Sequence, residues 1–203
     1  MKKASVLFLA MAALAVTACS PAEEGEKEEE VVEVNYTLDV ANSSLKWEVP
    51  NEHQGTVNIS EGSLSMKGEE LTSGSFKIDM TTIKSTDLEE PLAGVLAGHI
   101  MGTMPDENHP VDMFFNIPEF PTVGVTLGSY NDGKLGLTLD ILGQELKQDV
   151  EVSLSADDKG ASLKGDFKLD LSSLGMPGLQ PDPETGEGID PEVLFQLDVK
   201  LNK

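Results

Sequence analysis

Arginine is absent from this chain of 203 residues, and 14 lysines face 36 acidic residues. The resulting net charge of −22 argues against nucleic acid as a partner, because its phosphates would be repelled. It also argues against a polybasic attachment to anionic lipid headgroups. The acidity instead favours solubility and opposes nonspecific association.

Side chains that commonly carry catalysis are also scarce. The three histidines are His53, His99 and His109, and the sequence contains neither a Gly-x-Ser-x-Gly elbow nor a Gly-rich phosphate loop. A three-histidine metal site would need a turn, a helix end and a loop to converge, so we expect turn and capping roles instead. We predict no enzyme activity, no cofactor and no metal; an enzyme dependent on His99 is the third-ranked alternative.

A calcium site receives only weak support from the segment 182–190. Its acids and glycines resemble a calcium-binding loop, yet Gly186 stands where a ligand is needed and Glu187 where the turn glycine belongs. The segment is predicted to be a loop without bound metal.

The long apolar run of the chain is confined to its start. Lys2 and Lys3 precede an apolar stretch at 6–16 that is too short to span a bilayer as a stable helix. The following residues, 16–19, resemble the lipobox of bacterial lipoproteins. The resemblance implies a signal peptide over 1–18 and lipidation of Cys19, the single cysteine, which also excludes an internal disulfide. The alternative is an ordinary secretory cleavage site.

A lipidated Cys19 implies export across the inner membrane and anchoring in the cell envelope, at the outer membrane facing the periplasm or the surface. The segment 19–34 is then expected to be an acidic, disordered tether, since 20–33 holds seven glutamates and one lysine. An acidic sorting signal for surface export is the alternative. Residues 35–203 are predicted to form one domain.

Alternation of apolar and polar residues indicates the fold of that domain. Within 74–83, Phe76, Ile78 and Met80 share one face of an extended strand, and the polar residues between them share the other. The same alternation recurs at 135–141, 150–154, 167–171 and 195–201. Five such stripes predict an antiparallel sheet whose apolar face must be covered.

The order of the strands predicts closure of this sheet. Short connections favour a meander of adjacent strands, and a last strand at 193–201 can pair with an early one and remove both edges. The predicted fold is all-β: a closed antiparallel, lipocalin-like β-barrel of about eight strands. Strands are expected at 45–49, 57–62, 64–67, 74–83, 121–127, 134–142, 147–155, 161–171 and 193–201, with a long proline-rich loop at 177–191.

One short helix is predicted between Asp87 and His99, because Leu88, Leu92, Val95, Leu96 and Ile100 recur at spacings of three and four. It should lie across one opening of the barrel. The segment 101–110 is predicted to be an irregular loop. Adjacent phenylalanines follow at 114–115, and since neighbours on a strand face opposite ways, one is expected to plug the barrel while the other packs elsewhere.

The apolar inner face is the best candidate for a binding site. An eight-stranded closed barrel can hold one small ligand in its interior. The alternative is a solid core, in which the same side chains pack against one another. The inward-facing residues are predicted to be Trp47, Phe76, Ile78, Met80, Leu137, Leu139, Phe167, Leu169 and Leu197.

Several short motifs occur in a fixed order along the chain. They are Leu45-Lys-Trp47, His53-Gln-Gly55, Glu61-Gly62-Ser-Leu64, Gly74 through Ile83, Asp87-Leu88, Gly98-His99-Ile100, Asp112-Met-Phe114-Phe115 and Phe120-Pro121-Thr122. Together they resemble the signature of the YceI-like family of secreted bacterial proteins. That resemblance implies a lipocalin-like barrel that binds long isoprenoid or other lipid chains in its interior.

Carried over to this sequence, the resemblance implies that Trp47, Phe76, Ile78, Met80, Phe114, Phe115 and Phe120 lie in or near a lipid pocket. It also implies that His99 closes the helix over one mouth. Two departures stand out: 101–110 resembles an insertion, and Asp170-Leu171 replaces the Asp-Arg usual in the family.

The sequence therefore predicts a noncatalytic, membrane-anchored protein that sequesters or carries a polyprenyl or fatty chain. The alternative is a structural or partner-binding envelope lipoprotein with a solid core and no ligand. The oligomeric state is left open, with a dimer as one option.

Overall fold

The structure is a computed structural model that describes residues 31–181, 186 and 188–203. These residues form ten strands, all paired antiparallel, and one α-helix. The strands are β1 (Glu33–Leu38), β2 (Ser44–Glu48), β3 (Gln54–Lys67), β4 (Glu70–Ser85), β5 (Thr122–Asn131), β6 (Lys134–Ile141), β7 (Gln144–Glu151), β8 (Ser153–Ala156), β9 (Gly160–Asp170) and β10 (Glu192–Asn202). The helix is α1 (Leu92–Met101).

Some predictions fall on other parts of the chain. The signal peptide at 1–18, Cys19 and most of the tether at 19–34 lie outside the described residues, and β1 begins within the last two residues of that tether. Three acids of the segment resembling a calcium loop, Asp182, Glu184 and Glu187, also lie outside them.

The sheet closes into a barrel with eight strand positions, because two positions are each filled by two consecutive strands. β1 and β2, separated by a 3₁₀ turn at Val40–Asn42, lie in succession between β3 and β10. β7 pairs with β6, whereas β8, which follows it directly, pairs with β9. The predicted closed antiparallel barrel with one short helix is confirmed, and the last strand closes it as expected.

A side chain completes the seam where β7 passes β9 without a backbone ladder. The Gln148 Nε2 donates to the carbonyl oxygen of Lys168 at 2.7 Å, and the Gln148 Oε1 accepts from the backbone N–H of Asp170 at 3.2 Å. One amide thus satisfies two backbone groups that a neighbouring strand would otherwise pair.

The two strands predicted at 57–62 and 64–67 are one continuous strand, β3, so the turn expected between them is wrong. Gly62 lies in the middle of β3, directly opposite Phe76 of β4. A Cβ atom on Gly62 would lie 2.1 Å from Cδ1 of the Phe76 ring. The glycine therefore makes room for an aromatic ring and does not form a turn.

The predicted helix is present but starts later, at Leu92. It ends at Met101, because Gly102 adopts a left-handed conformation with φ of 70° and its N–H bonds to the carbonyl of His99. The helix packs against β4 and lies at the barrel end where β4 finishes and β5 begins. None of the helices in the described parts of the chain is long and apolar enough to cross a membrane.

Candidate functional site

The barrel encloses a cavity of about 210 Å³. Roughly 10–15 Å³ is enough to admit one water molecule, so the cavity is far above that threshold and can admit a small apolar ligand. Among the described residues that line it, only Glu52 and His53 have ionisable side chains. The interior is therefore an almost wholly apolar chamber, and the exposed Glu52 and half-buried His53 lie in the turn before β3.

The end of the barrel at the hairpins 67–70, 131–134 and 156–160 is densely packed, and Leu64, Leu135, Leu163 and Val199 have at most 2% exposure. Leu135, Leu163 and Val199 also form part of the cavity lining, whereas Leu64 does not. Closely packed side chains therefore form the floor of the cavity.

A row of aromatic rings crosses one wall of the cavity. Phe195 of β10 pairs directly with Trp47 of β2 on one side and with Phe167 of β9 on the other. The Phe167 and Phe195 rings stack with their centroids 6.0 Å apart. Trp47 is held in place because its ring covers Gly55 and its Nε1 donates to the carbonyl of Thr56 at 3.4 Å. The row provides a rigid apolar wall.

The structure brings eleven of the twelve predicted ligand-binding residues to the cavity wall. Phe120 is the exception: its ring lies beside Gly143, in the turn between β6 and β7, and does not line the cavity. That these residues bind a ligand remains a prediction. The eleven are Trp47, Phe76, Ile78, Met80, Phe114, Phe115, Leu137, Leu139, Phe167, Leu169 and Leu197.

Phe114 and Phe115 both line the cavity, so the expectation that only one would face inward is wrong. The reason is that 111–121 is a series of turns, in which strand alternation does not apply. The backbone N–H of Phe115 bonds to the carbonyl of Ile100, and that of Ile117 to the carbonyl of Phe115. Both rings can therefore turn to the same side.

The loop-covered end of the barrel contributes lining residues that no periodic pattern marked. Met176, Leu179 and Ile189 are described residues between β9 and β10, and they line this end of the cavity. The 3₁₀ turn at Pro177–Leu179 is fixed by a hydrogen bond from the Gly178 N–H to the Met113 carbonyl. Across the barrel, Val123, Val125 and Leu127 of β5 also line the cavity, and their alternation made them detectable.

The turn before β3 is held to the end of β4 by Asp87. Its Oδ2 lies 2.9 Å from Nδ1 of His53, and its Oδ1 accepts from the Ser85 hydroxyl at 2.7 Å. The hydrogen bond from His53, followed by that from Ser85, lowers the pKa of Asp87 to about 2. The carboxylate therefore stays charged at neutral pH and holds the His53 turn to the end of β4.

The other two histidines meet each other. His99 in the last turn of α1 stacks on His109, with ring centroids 4.0 Å apart and planes 8° apart. Asp106 lies beside both: its carboxylate is 2.9 Å from the His109 Nδ1 and 3.5 Å from the His99 Nε2. The hydrogen bond from His109 is the main cause of a lowered pKa at Asp106. The sequence pattern did not predict this cluster, because it singled out the histidines but not Asp106.

Comparisons with known proteins give a consistent result. A family model described as "YceI-like domain" matches residues 36–201. BcnA of Burkholderia cenocepacia, a solved structure, is similar with a TM-score of 0.58 at 15% identity, covering 80% of this chain and 98% of BcnA. A polyisoprenoid binding domain from Saccharophagus degradans implicated in plant cell wall breakdown has a TM-score of 0.51 at 13% identity, covering 82% of this chain and 97% of that domain. A search of curated proteins gave no match.

Proposed function

Because this chain belongs to the YceI-like family, whose domain covers residues 36–201, we propose that it is a noncatalytic protein that holds an isoprenoid or other long apolar chain inside its barrel. The observation that carries the proposal is the hollow, apolar interior. A similar solved domain, from Saccharophagus degradans, is described as polyisoprenoid binding, which supports the same class of ligand.

The apolar surface of the cavity is sufficient for useful affinity. Burial of about ten methylene groups contributes on the order of 8 kcal/mol, which corresponds to roughly micromolar binding before ordering costs. A polar anchor inside the barrel is not required. The tail would occupy the space between the aromatic row and β5, and the polar end of the ligand would lie near Glu52 and His53.

The charges around that end favour a neutral ligand. Glu52, together with Asp87 behind His53, makes the mouth acidic, and no lysine lines the cavity among the described residues. A diphosphate headgroup would be repelled, whereas an alcohol could donate a hydrogen bond to Glu52. The preferred ligand is therefore an uncharged apolar chain that lies wholly or partly within the cavity.

The experiment is to extract the purified protein with organic solvent and identify the lipids by mass spectrometry, and then to titrate the stripped protein with farnesol and with farnesyl diphosphate. We expect a copurifying neutral chain and tighter binding of the alcohol. An empty extract together with no binding of either compound would refute the proposal and favour the solid, partner-binding alternative. Tighter binding of the diphosphate would refute only the neutral-ligand preference.

We further propose that Cys19 is lipidated and anchors the barrel in the cell envelope, where it sequesters or carries its ligand. The support is the basic, apolar and lipobox-like order of residues 1–19. Two or more acyl chains give stable anchoring. Wild-type protein should partition into the detergent phase, and the Cys19→Ser protein should remain aqueous. A wild-type protein that stays entirely aqueous would contradict the anchor.

A further inference from the structure

The cluster of His99, Asp106 and His109 lies outside the ligand cavity and is not explained by lipid binding. Each residue offers one ligand atom, and the three atoms all lie within 4.8 Å of one another. We propose that these three residues bind a divalent transition-metal ion of the zinc type at the loop-covered end of the barrel. This inference does not depend on the proposed lipid ligand.

The chemistry of the three donors suits such an ion. Two imidazole nitrogens and one carboxylate form a donor set that zinc and neighbouring transition metals use, with a remaining position left for water. In the described residues, Asp106 has ion-pair contacts with the two histidines and with no lysine. Because no lysine ammonium group competes for it in the described residues, the Asp106 carboxylate is available to a metal cation.

The backbone holds Asp106 in position to act as a ligand. Its Oδ1 accepts hydrogen bonds from the backbone N–H groups of Asn108 and His109, each at 2.8 Å. The Asp106 N–H in turn bonds to the His109 carbonyl at 3.0 Å, so that the two ligand residues are joined in one tight turn. A ligand whose orientation is already fixed loses less conformational entropy when a metal binds.

The end of α1 brings this turn to His99. The left-handed Gly102 stops the helix, and the N–H groups of Thr103 and Met104 bond back to the carbonyl of Gly98. A Cβ at Gly102 would lie 2.1 Å from the Val111 carbonyl oxygen, so the absence of a side chain allows the loop to close onto the helix. The segment 102–110 thus returns to the last turn of α1.

Metal binding requires a small rearrangement of one ring. In two parallel stacked imidazoles the in-plane lone pairs run side by side, so both rings cannot point at one ion. His109 lies on the loop with 37% of its side chain exposed, compared with 18% for His99, and is therefore the ring expected to turn. The ion would replace the hydrogen bond between His109 and Asp106 and join the loop to α1, whose Leu96 and Ile100 line the cavity.

The test uses the untagged full chain after removal of metal with a chelator. Zinc chloride is titrated by calorimetry, and cobalt chloride by visible absorbance, because the spectrum of bound Co²⁺ reports its coordination. We expect saturable one-to-one binding. Asp106→Asn and His109→Phe should each weaken zinc binding at least about tenfold, since loss of supporting groups alone costs metal sites that much. His109→Phe keeps a ring to stack on His99.

His53→Phe is the matched control, because it removes a histidine that also pairs with an aspartate but lies elsewhere. It should bind zinc as wild type does. Circular dichroism checks the folding of each variant, and His109→Gln replaces His109→Phe if the latter is unfolded. Zinc should also slow amide exchange at 102–110 in wild type but not in Asp106→Asn. The absence of saturable binding, or equal affinity in wild type and Asp106→Asn, would overturn the proposal.

Discussion

The ring of Phe76 occupies the space that a side chain on Gly62 would need: a Cβ there would lie 2.1 Å from Cδ1 of the ring. The two residues are directly paired between β3 and β4. Phe76 is buried and lines the cavity, so the glycine fixes the position of a wall residue. The small residue and the aromatic ring together define the shape of the wall.

Gly62→Ala should therefore lower the free energy of unfolding by about 1–3 kcal/mol, the usual cost of forcing extra atoms into a packed site. Urea unfolding measures the change. Gly124→Ala is the control, because Gly124 is also a strand glycine, but its Cβ would meet only the Asp140 Cβ at an ordinary 3.6 Å. The free energy of unfolding of the Gly124→Ala protein should equal that of wild type or exceed it by up to about 1 kcal/mol. Equal losses in both variants would contradict the role of Phe76.

Filling the cavity should abolish ligand binding without unfolding the barrel. Val125 is half-buried and lines the hollow, so Val125→Phe places its ring in empty space. We expect at least tenfold weaker binding of farnesol and a change in unfolding free energy below about 1 kcal/mol, because overpacking costs arise only where no space exists.

Val34→Phe is the matched control for that change. Val34 is half-buried against the core but does not line the cavity, so binding should persist while stability falls. Fluorescent-ligand displacement and thermal unfolding give both quantities. If Val125→Phe binds farnesol as well as wild type does, the hollow is not the binding site.

The contact between His53 and Asp87 should make stability depend on pH in the acidic range. Because the pKa of Asp87 is lowered to about 2 from an unfolded value of about 3.9, its contribution is complete above about pH 5 and is lost as pH falls through 2. At pH 6, Asp87→Asn should cost on the order of 1 kcal/mol, a small value because the pair is partly exposed.

Urea unfolding of wild type and Asp87→Asn between pH 2 and pH 7 tests this dependence. The difference in unfolding free energy should be constant from pH 7 to about pH 5 and should shrink below that. A difference that grows as pH falls would have the wrong sign. Asp140→Asn, on the exposed face of β6, is the control and should leave the free energy of unfolding at pH 6 unchanged, since no hydrogen bond to its carboxylate is observed among the described residues.

The seam between β7 and β9 should depend on Gln148. Gln148→Ala removes partners from the Lys168 carbonyl and the Asp170 N–H, and we expect a loss of about 1–2 kcal/mol. Hydrogen exchange at the Asp170 amide should accelerate. Gln196→Ala, in the exposed face of β10, is the control and should leave both quantities unchanged. An unchanged Asp170 exchange rate in Gln148→Ala would show that the seam is held by other contacts.

Strand alternation made much of the fold predictable. The stripe at 74–83 and the last strand are found where the alternation placed them, and eleven predicted inner residues line the cavity. The prediction failed where the local sequence pattern does not show which residue lies opposite on the neighbouring strand. Gly62 resembled a turn residue because nothing in the sequence around it shows that Phe76 lies opposite. Phe120 was assigned to the pocket by resemblance, but the turn at Gly143 places it outside.

The sequence by itself determined the class of sheet, the face of each strand that points inward and the scarcity of positive charge, because these properties depend on each residue and its near neighbours. The tertiary structure decided how much of the interior is hollow, and it decided that both Phe114 and Phe115 face that hollow. It also brought His99, Asp106 and His109 together. The last two outcomes depend on which loop residues return to the end of the helix α1. No periodic pattern in the sequence shows where that return occurs.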